Sequence, residues 1–170
     1  TLEDLFPGFG ERLFSAGGLM IDAATEMEYY DKGGFVADGT DRLPMYCASR
    51  ALFEHVVREQ VRDRDGIELR GGVNVAGYLQ DGDAVAGVRL RDGDTTTELD
   101  ADLVVDATGR TSRTPRWLDA NGYEAPTVDE VQVDVTYSTI RLDRPEGDRR
   151  AIFAPPSPPR TRGLVFLPVE

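Results

Sequence analysis

Leu103-Val104-Val105-Asp106-Ala107-Thr108-Gly109-Arg110 is the stretch on which the fold turns. A short unbroken apolar run of this kind reads as a strand buried on both faces of a parallel sheet. It stops abruptly at a carboxylate and small residues, and open α/β sheets bind ligands at the carboxyl ends of their strands. Ala107 and Gly109 would let a bulky ligand approach the backbone, and Asp106 can accept hydrogen bonds from hydroxyls. The competing reading of the same residues is a plain strand-to-loop turn with an Asp cap and a glycine.

Outward from this stretch, residues 67–106 have a period of two. Segments Ile67–Leu69, Val73–Leu79, Ala84–Leu90 and Thr95–Leu99 are separated mainly by Asp81-Gly82-Asp83 and Asp92-Gly93-Asp94, which predicts an antiparallel meander with tight turns. Before it, Ser49 is the expected N-cap of a helix over 50–62, in which Leu52, Phe53, Val56, Val57 and Val61 form one apolar stripe. A first helix is expected over 2–16, with Pro7, late for a first turn, as the place where it would break, and a stop at Gly17-Gly18. Short strands are expected at Met27–Tyr30 and Gly34–Ala37. Beyond the central stretch come a helix over 112–120, a long alternating strand over 130–142, and strands over 150–155 and 163–169, with Pro155-Pro156-Ser157-Pro158-Pro159 as a stiff turn.

The chain has 170 residues, enough for one ordinary domain or two small ones. Its 19 basic and 31 acidic residues give a formal charge of −12, which repels phosphate backbones and anionic lipid. Nucleic acid and membrane surfaces are therefore poor partners, and no apolar run approaches the ~18 to 20 residues of a membrane span. A single cysteine, Cys47, excludes an internal disulfide and a multi-thiolate zinc site, and fits a reducing cytoplasm. Lys32 is the only lysine, and Asp outnumbers Glu by 19 to 12. The skew reads as adaptation to high salt, with codon bias as the alternative. The chain opens on Thr1 and closes on an apolar run, so both ends read as cuts.

The order helix, meander, then Asp106-Ala107-Thr108-Gly109-Arg110 resembles the middle of the FAD-dependent oxidoreductases related to aromatic hydroxylases, geranylgeranyl reductases and flavin-dependent halogenases. Cys47-Ala48-Ser49-Arg50-Ala51-Leu52-Phe53 is similar to that family's Arg-x-x-Leu helix start. Gly72-Val73-Asn74-Val75 is similar to its adenine-side strand. The resemblance covers roughly residues 45–112. It implies an α/β, mixed α+β fold: a fragment of a Rossmann-like FAD/NAD(P)-binding domain with an antiparallel meander, plus part of a substrate-domain sheet. Residues 1–45 would be the substrate-side helix and short strands, 46–125 part of the cofactor domain, and 126–170 part of the substrate sheet.

By the same resemblance the cofactor is FAD with NAD(P)H as reductant, the partner a small organic substrate, and the reaction a monooxygenation. The implied cofactor-binding residues are Arg50 at the ribityl and phosphate region, Val75 at adenine through its backbone, and Asp106, Ala107, Thr108, Gly109 and Arg110 beside the flavin. No catalytic residue and no metal ligand is marked. The family's GxGxxG pyrophosphate loop and its later Gly-Asp segment are absent, so the chain reads as an internal portion of a flavoprotein, inactive alone. Isoprenoid double-bond reduction on the same fold and a non-catalytic α/β binding module are the alternatives.

Other residues carry weaker signals. His55 lies on the strong helix with no motif partner and reads as a surface or half-buried position. Cys47 reads as a small apolar filler. Tyr29 and Tyr30 read as strand aromatics before cavity residues, and Trp117 as a helix-to-sheet packing residue. Arg110 and Arg113 flank the proposed site and are candidates for a nicotinamide cofactor's phosphates.

Overall fold

The computed structural model describes residues 2–170. They form two compact units, one built from the chain up to Glu68 together with Thr139–Glu170, the other from Leu69–Ser138.

The first unit begins with α1 (Leu2–Leu5) and α2 (Phe9–Ser15), the expected single helix broken at Pro7-Gly8. Proline cannot donate its backbone nitrogen, and Gly8 adopts a left-handed φ of 79° between the two pieces. The Gly8 and Gly10 amides are held by the Glu3 carboxylate at 2.7 and 3.1 Å. At the other end, Gly17 takes φ 106°, and the Gly17 and Gly18 amides bond the Phe14 and Leu13 carbonyls in a Schellman stop. The helix α3 (Arg50–Arg62) starts as expected, with the Ser49 hydroxyl accepting the Leu52 amide at 3.2 Å. Its apolar stripe meets α2: Phe9, Leu13 and Val56 are buried together, with Phe6, Leu52, Phe53 and Val57 packed around them.

Two small sheets complete this unit. Strand β1 (Leu19–Asp22) pairs antiparallel with β4 (Pro44–Cys47). A four-stranded sheet has the order β3 (Gly34–Phe35), β2 (Met27–Asp31), β8 (Ala151–Ala154), β9 (Leu164–Phe166), in which β2 and β8 run parallel and the other pairs antiparallel. Ile21, Cys47 and Ala151 form the second buried cluster, with Leu19, Met27 and Met45 against it. Cys47 is thus the small apolar filler expected; burial, and then the nearby Glu26 carboxylate, push its thiol pKa up. Arg150 clasps the start of β8, its guanidinium meeting Asp148 at 3.0 Å and Glu28 on the parallel neighbour at 3.1 Å.

The second unit is the expected meander: β5 (Asn74–Asp81), β6 (Ala84–Asp92) and β7 (Thr95–Asp100), paired antiparallel in that order. Gly82 and Gly93 supply the positive φ that its two tight turns require. A 3₁₀ turn (Gly109–Thr111) precedes α4 (Thr114–Ala120). Trp117 packs edge-on to Tyr78 of β5 with ring centroids 5.0 Å apart and stacks on Tyr123 at 5.7 Å, so it does tie the helix to the sheet.

Three expected strands are not formed. Leu103–Val105 has no ladder, and Leu103 and Val105 are 79% and 77% exposed, the opposite of a buried parallel strand. Residues 130–142 form no strand either, and Val131 is 90% and Tyr137 86% exposed. Ile67–Leu69 likewise forms no strand, and Ile67 and Leu69 are exposed. A strand needs a neighbour to take its backbone hydrogen bonds, and none of the described residues provides one for these segments.

Candidate functional site

Asp106 organises the loop that follows it. Its Oδ1 accepts the Thr108 amide at 2.9 Å and the Thr108 hydroxyl at 2.6 Å. Its Oδ2 accepts the Ser112 hydroxyl at 2.6 Å and the Thr114 hydroxyl. The Thr114 hydroxyl also meets the Tyr78 phenol, so the loop, the start of α4 and β5 are joined by one hydrogen-bonded chain. The Ser112 and then Thr108 and Thr114 hydroxyls hold the Asp106 pKa far below the usual carboxylate range.

A carboxylate offers about four lone-pair positions, and here four donors fill them. Asp106 has no lone pair left for a cofactor hydroxyl. What the loop presents to solvent is Ala107, Thr108, Gly109 and Arg110, all exposed. Gly109 adopts φ 70°, and the position where a Cβ would stand has no atom within 4 Å, so the backbone here is open to close approach.

Val75 lies on β5, an edge strand of the meander, and is 58% exposed. An edge strand leaves one row of backbone N–H and C=O groups unpaired, and such a row can hydrogen-bond an adenine ring. Val75 and residues 106–110 belong to the second unit. Arg50 belongs to the first, as the opening residue of α3. Its side chain is 91% exposed, and Glu54 takes only the Nε–H, at 2.7 Å, leaving the terminal nitrogens available for a phosphate fork. Each unit thus offers its own features: the exposed Arg50 guanidinium in the first, and in the second the open edge of β5 and the exposed 106–110 loop, which Asp106 shapes from within. Arg113 stands exposed just before α4. His55 is exposed on α3.

Ser112, Thr114 and Tyr78 are the members of this site that the sequence reading missed. The density of hydroxyls after Asp106 was a usable signal for the first two. Tyr78 carries no local signal, because its partner is 36 residues away.

Residues 16–170 match the family model described as FAD binding domain. The chain belongs to the FAD-binding domain family. That family's cofactor is the one the resemblance implied, and the mixed α/β architecture with antiparallel sheets agrees with a portion of such a domain. The chain is also 28% identical over 181 residues to Protein Rv3254 of Mycobacterium tuberculosis, an alignment that covers 99% of this chain. It spans 38% of that relative's length. No helix among the described residues is long and apolar enough to cross a membrane, and no group of metal-ligating side chains is present among them.

Proposed function

We propose that the chain is part of an FAD-dependent oxidoreductase of the monooxygenase-like kind, reduced by NAD(P)H and acting on a small organic substrate. The observation that carries this reading is the FAD-binding family match across residues 16–170, which encloses the Arg50 helix, the meander and the Asp106 loop. The redox chemistry, reduction by NAD(P)H and activation of dioxygen for hydroxylation or epoxidation, would be supplied by bound FAD. The chain's own part is binding and orientation. Arg50 would neutralise phosphate, the open edge of β5 at Val75 would receive adenine, and the backbone of Thr108 and Gly109 would lie against the cofactor. Asp106 would act as a positioning residue, holding that backbone in place. Arg110 and Arg113 would meet the phosphates of the nicotinamide cofactor.

The test is made on the natural full-length protein. It should be purified with a visible flavin absorbance band, which NADPH bleaches anaerobically and air restores with formation of an oxygenated product. Bleaching without an oxygen-dependent product would identify a reductase on the same scaffold. A well-folded, colourless protein indifferent to added FAD would replace the reading with a binding module.

A further inference from the structure

The only lysine of the chain and two of its arginines converge on one cleft. Lys32 stands in the turn between β2 and β3, Arg160 and Arg162 stand in the loop joining β8 to β9, and all three line a cavity of about 270 Å³. The cavity lies beyond the carboxyl ends of the parallel pair β2 and β8, where Tyr29 is in register with Phe153. Lys32 (φ 48°) and Gly33 (φ 95°) both take left-handed backbone, as a two-residue hairpin turn requires, and this fixes where the ammonium stem leaves the sheet. The loop carrying the arginines is closed by the Arg160 amide on the Ser157 carbonyl at 2.8 Å.

Charge pairing separates this cluster from its neighbours. Arg149 and Arg150, at the start of β8, meet Glu26, Glu28 and Asp148 within 3.6 Å. Lys32, Arg160 and Arg162 make no ion pair among the described residues, although the chain holds 31 carboxylates for 19 cations. Asp31 is the single carboxylate on the cavity wall, so the lining carries a net charge of +2 (three cations, one anion) in a molecule of −12. Low-dielectric walls around charge of one sign focus its field on a bound counter-charge. Tyr30 and Leu164 supply those walls.

We propose that this cleft binds a small organic dianion, its paired anionic oxygens among Lys32, Arg160 and Arg162 and its apolar body against Tyr30 and Leu164. Two guanidinium forks and one ammonium suit either a phosphoryl group or two adjacent carboxylates. The proposal is independent of the flavin reading, since none of these residues belongs to the proposed FAD contacts.

Isothermal titration of the protein with inorganic pyrophosphate and, separately, with phthalate, at fixed ionic strength, tests it. Saturable one-to-one binding of either probe is expected, and the better probe distinguishes phosphoryl from dicarboxylate recognition. Arg160→Ala and Arg162→Ala should each weaken it by roughly tenfold, the loss expected for a charged hydrogen bond. Both side chains are exposed and unpaired, so the variants should keep the parent circular dichroism. Arg89→Ala, on β6 and paired with Glu98 at 3.1 Å, should bind as the parent does. Absence of saturable binding to both probes, or an equal loss in Arg89→Ala, would overturn the proposal.

Discussion

A surface aspartate usually meets water; Asp106 instead meets four protein donors from three residues, Thr108, Ser112 and Thr114. In Asp106→Asn the amide nitrogen that replaces one oxygen can no longer accept from a hydroxyl. The loop should loosen, and trypsin should cut at Arg110 and Arg113 faster in the variant than in the parent; equal cleavage rates would show that the loop holds without the carboxylate. The pH dependence has a definite sign. A folded-state pKa depressed below the ordinary 3.8 contributes stability that is fully present above 3.8 and is lost as pH falls through the lowered value. The melting-temperature advantage of the parent over Asp106→Asn should therefore stay level from neutrality to about pH 4 and shrink only below it. For Arg50, whose side chain is almost wholly exposed, Arg50→Ala should leave folding intact and weaken FAD binding by roughly tenfold to a hundredfold, read by fluorescence titration of the full-length protein. Unchanged affinity would remove Arg50 from the site. What was legible at Asp106 was the turn with an Asp cap and a glycine, because those residues are contiguous; the donors that fill its carboxylate, at Ser112 and Thr114, lie further along the chain. The dianion cleft was not, since Lys32 and the two arginines meet only through the parallel pairing of β2 with β8.

At the scale of elements, what could be read locally was read well. The Ser49-capped helix α3 and the Asp-Gly turns of the meander are short-range signals, and both elements form within a residue or two of their expected bounds. Strands that depend on a distant neighbour were not fixed by their own residues. An alternating or continuous apolar run reports which faces want burial, whereas 130–142 and Leu103–Val105 also need a ladder that the described residues do not supply. Within the meander, Gly87 shows how tightly β6 and β7 are joined. A Cβ there would strike the Leu99 carbonyl and come within 2.9 Å of the Asp100 Cα, both backbone atoms that cannot swing aside. Gly87→Ala should destabilise the protein by about 1 to 3 kcal/mol in urea unfolding, the usual cost of overpacking. On α3, Gln60 is 7% exposed and its Nε2 has no hydrogen-bond partner among the described residues. An unsatisfied buried amide costs about 1 to 3 kcal/mol, so Gln60→Leu should raise the urea midpoint. A lowered midpoint would mean that the amide has a partner in solution.

For the whole molecule, charge is the dominant quantity. At −12 over 170 residues, with a sequence pI near 4.5, self-repulsion opposes the compact state at neutral pH. The opposing terms are modest in this chain. Among the described residues the two buried hydrophobic clusters are each built on three residues, Phe9, Leu13 and Val56 in one and Ile21, Cys47 and Ala151 in the other. Ion pairs such as Arg12–Asp63, Arg50–Glu54 and Arg89–Glu98 are exposed, and such pairs contribute little each. Added salt weakens both attraction and repulsion between exposed charges, and with acidic residues outnumbering basic ones by 12 the repulsion is the larger loss. The melting temperature should therefore climb steeply between low and molar potassium chloride. Most of that climb should be complete by about 1 M, as the screening length falls from about 30 Å at about 0.01 M to about 3 Å. Any further rise at higher concentration would come from salt hydration at the carboxylate surface, and replacing chloride by sulfate would enlarge it, because sulfate strengthens apolar burial. A melting temperature flat across the whole range would show that the surplus carboxylates are already far enough apart to ignore one another, and the acidic composition would then reflect codon usage instead of adaptation to salt.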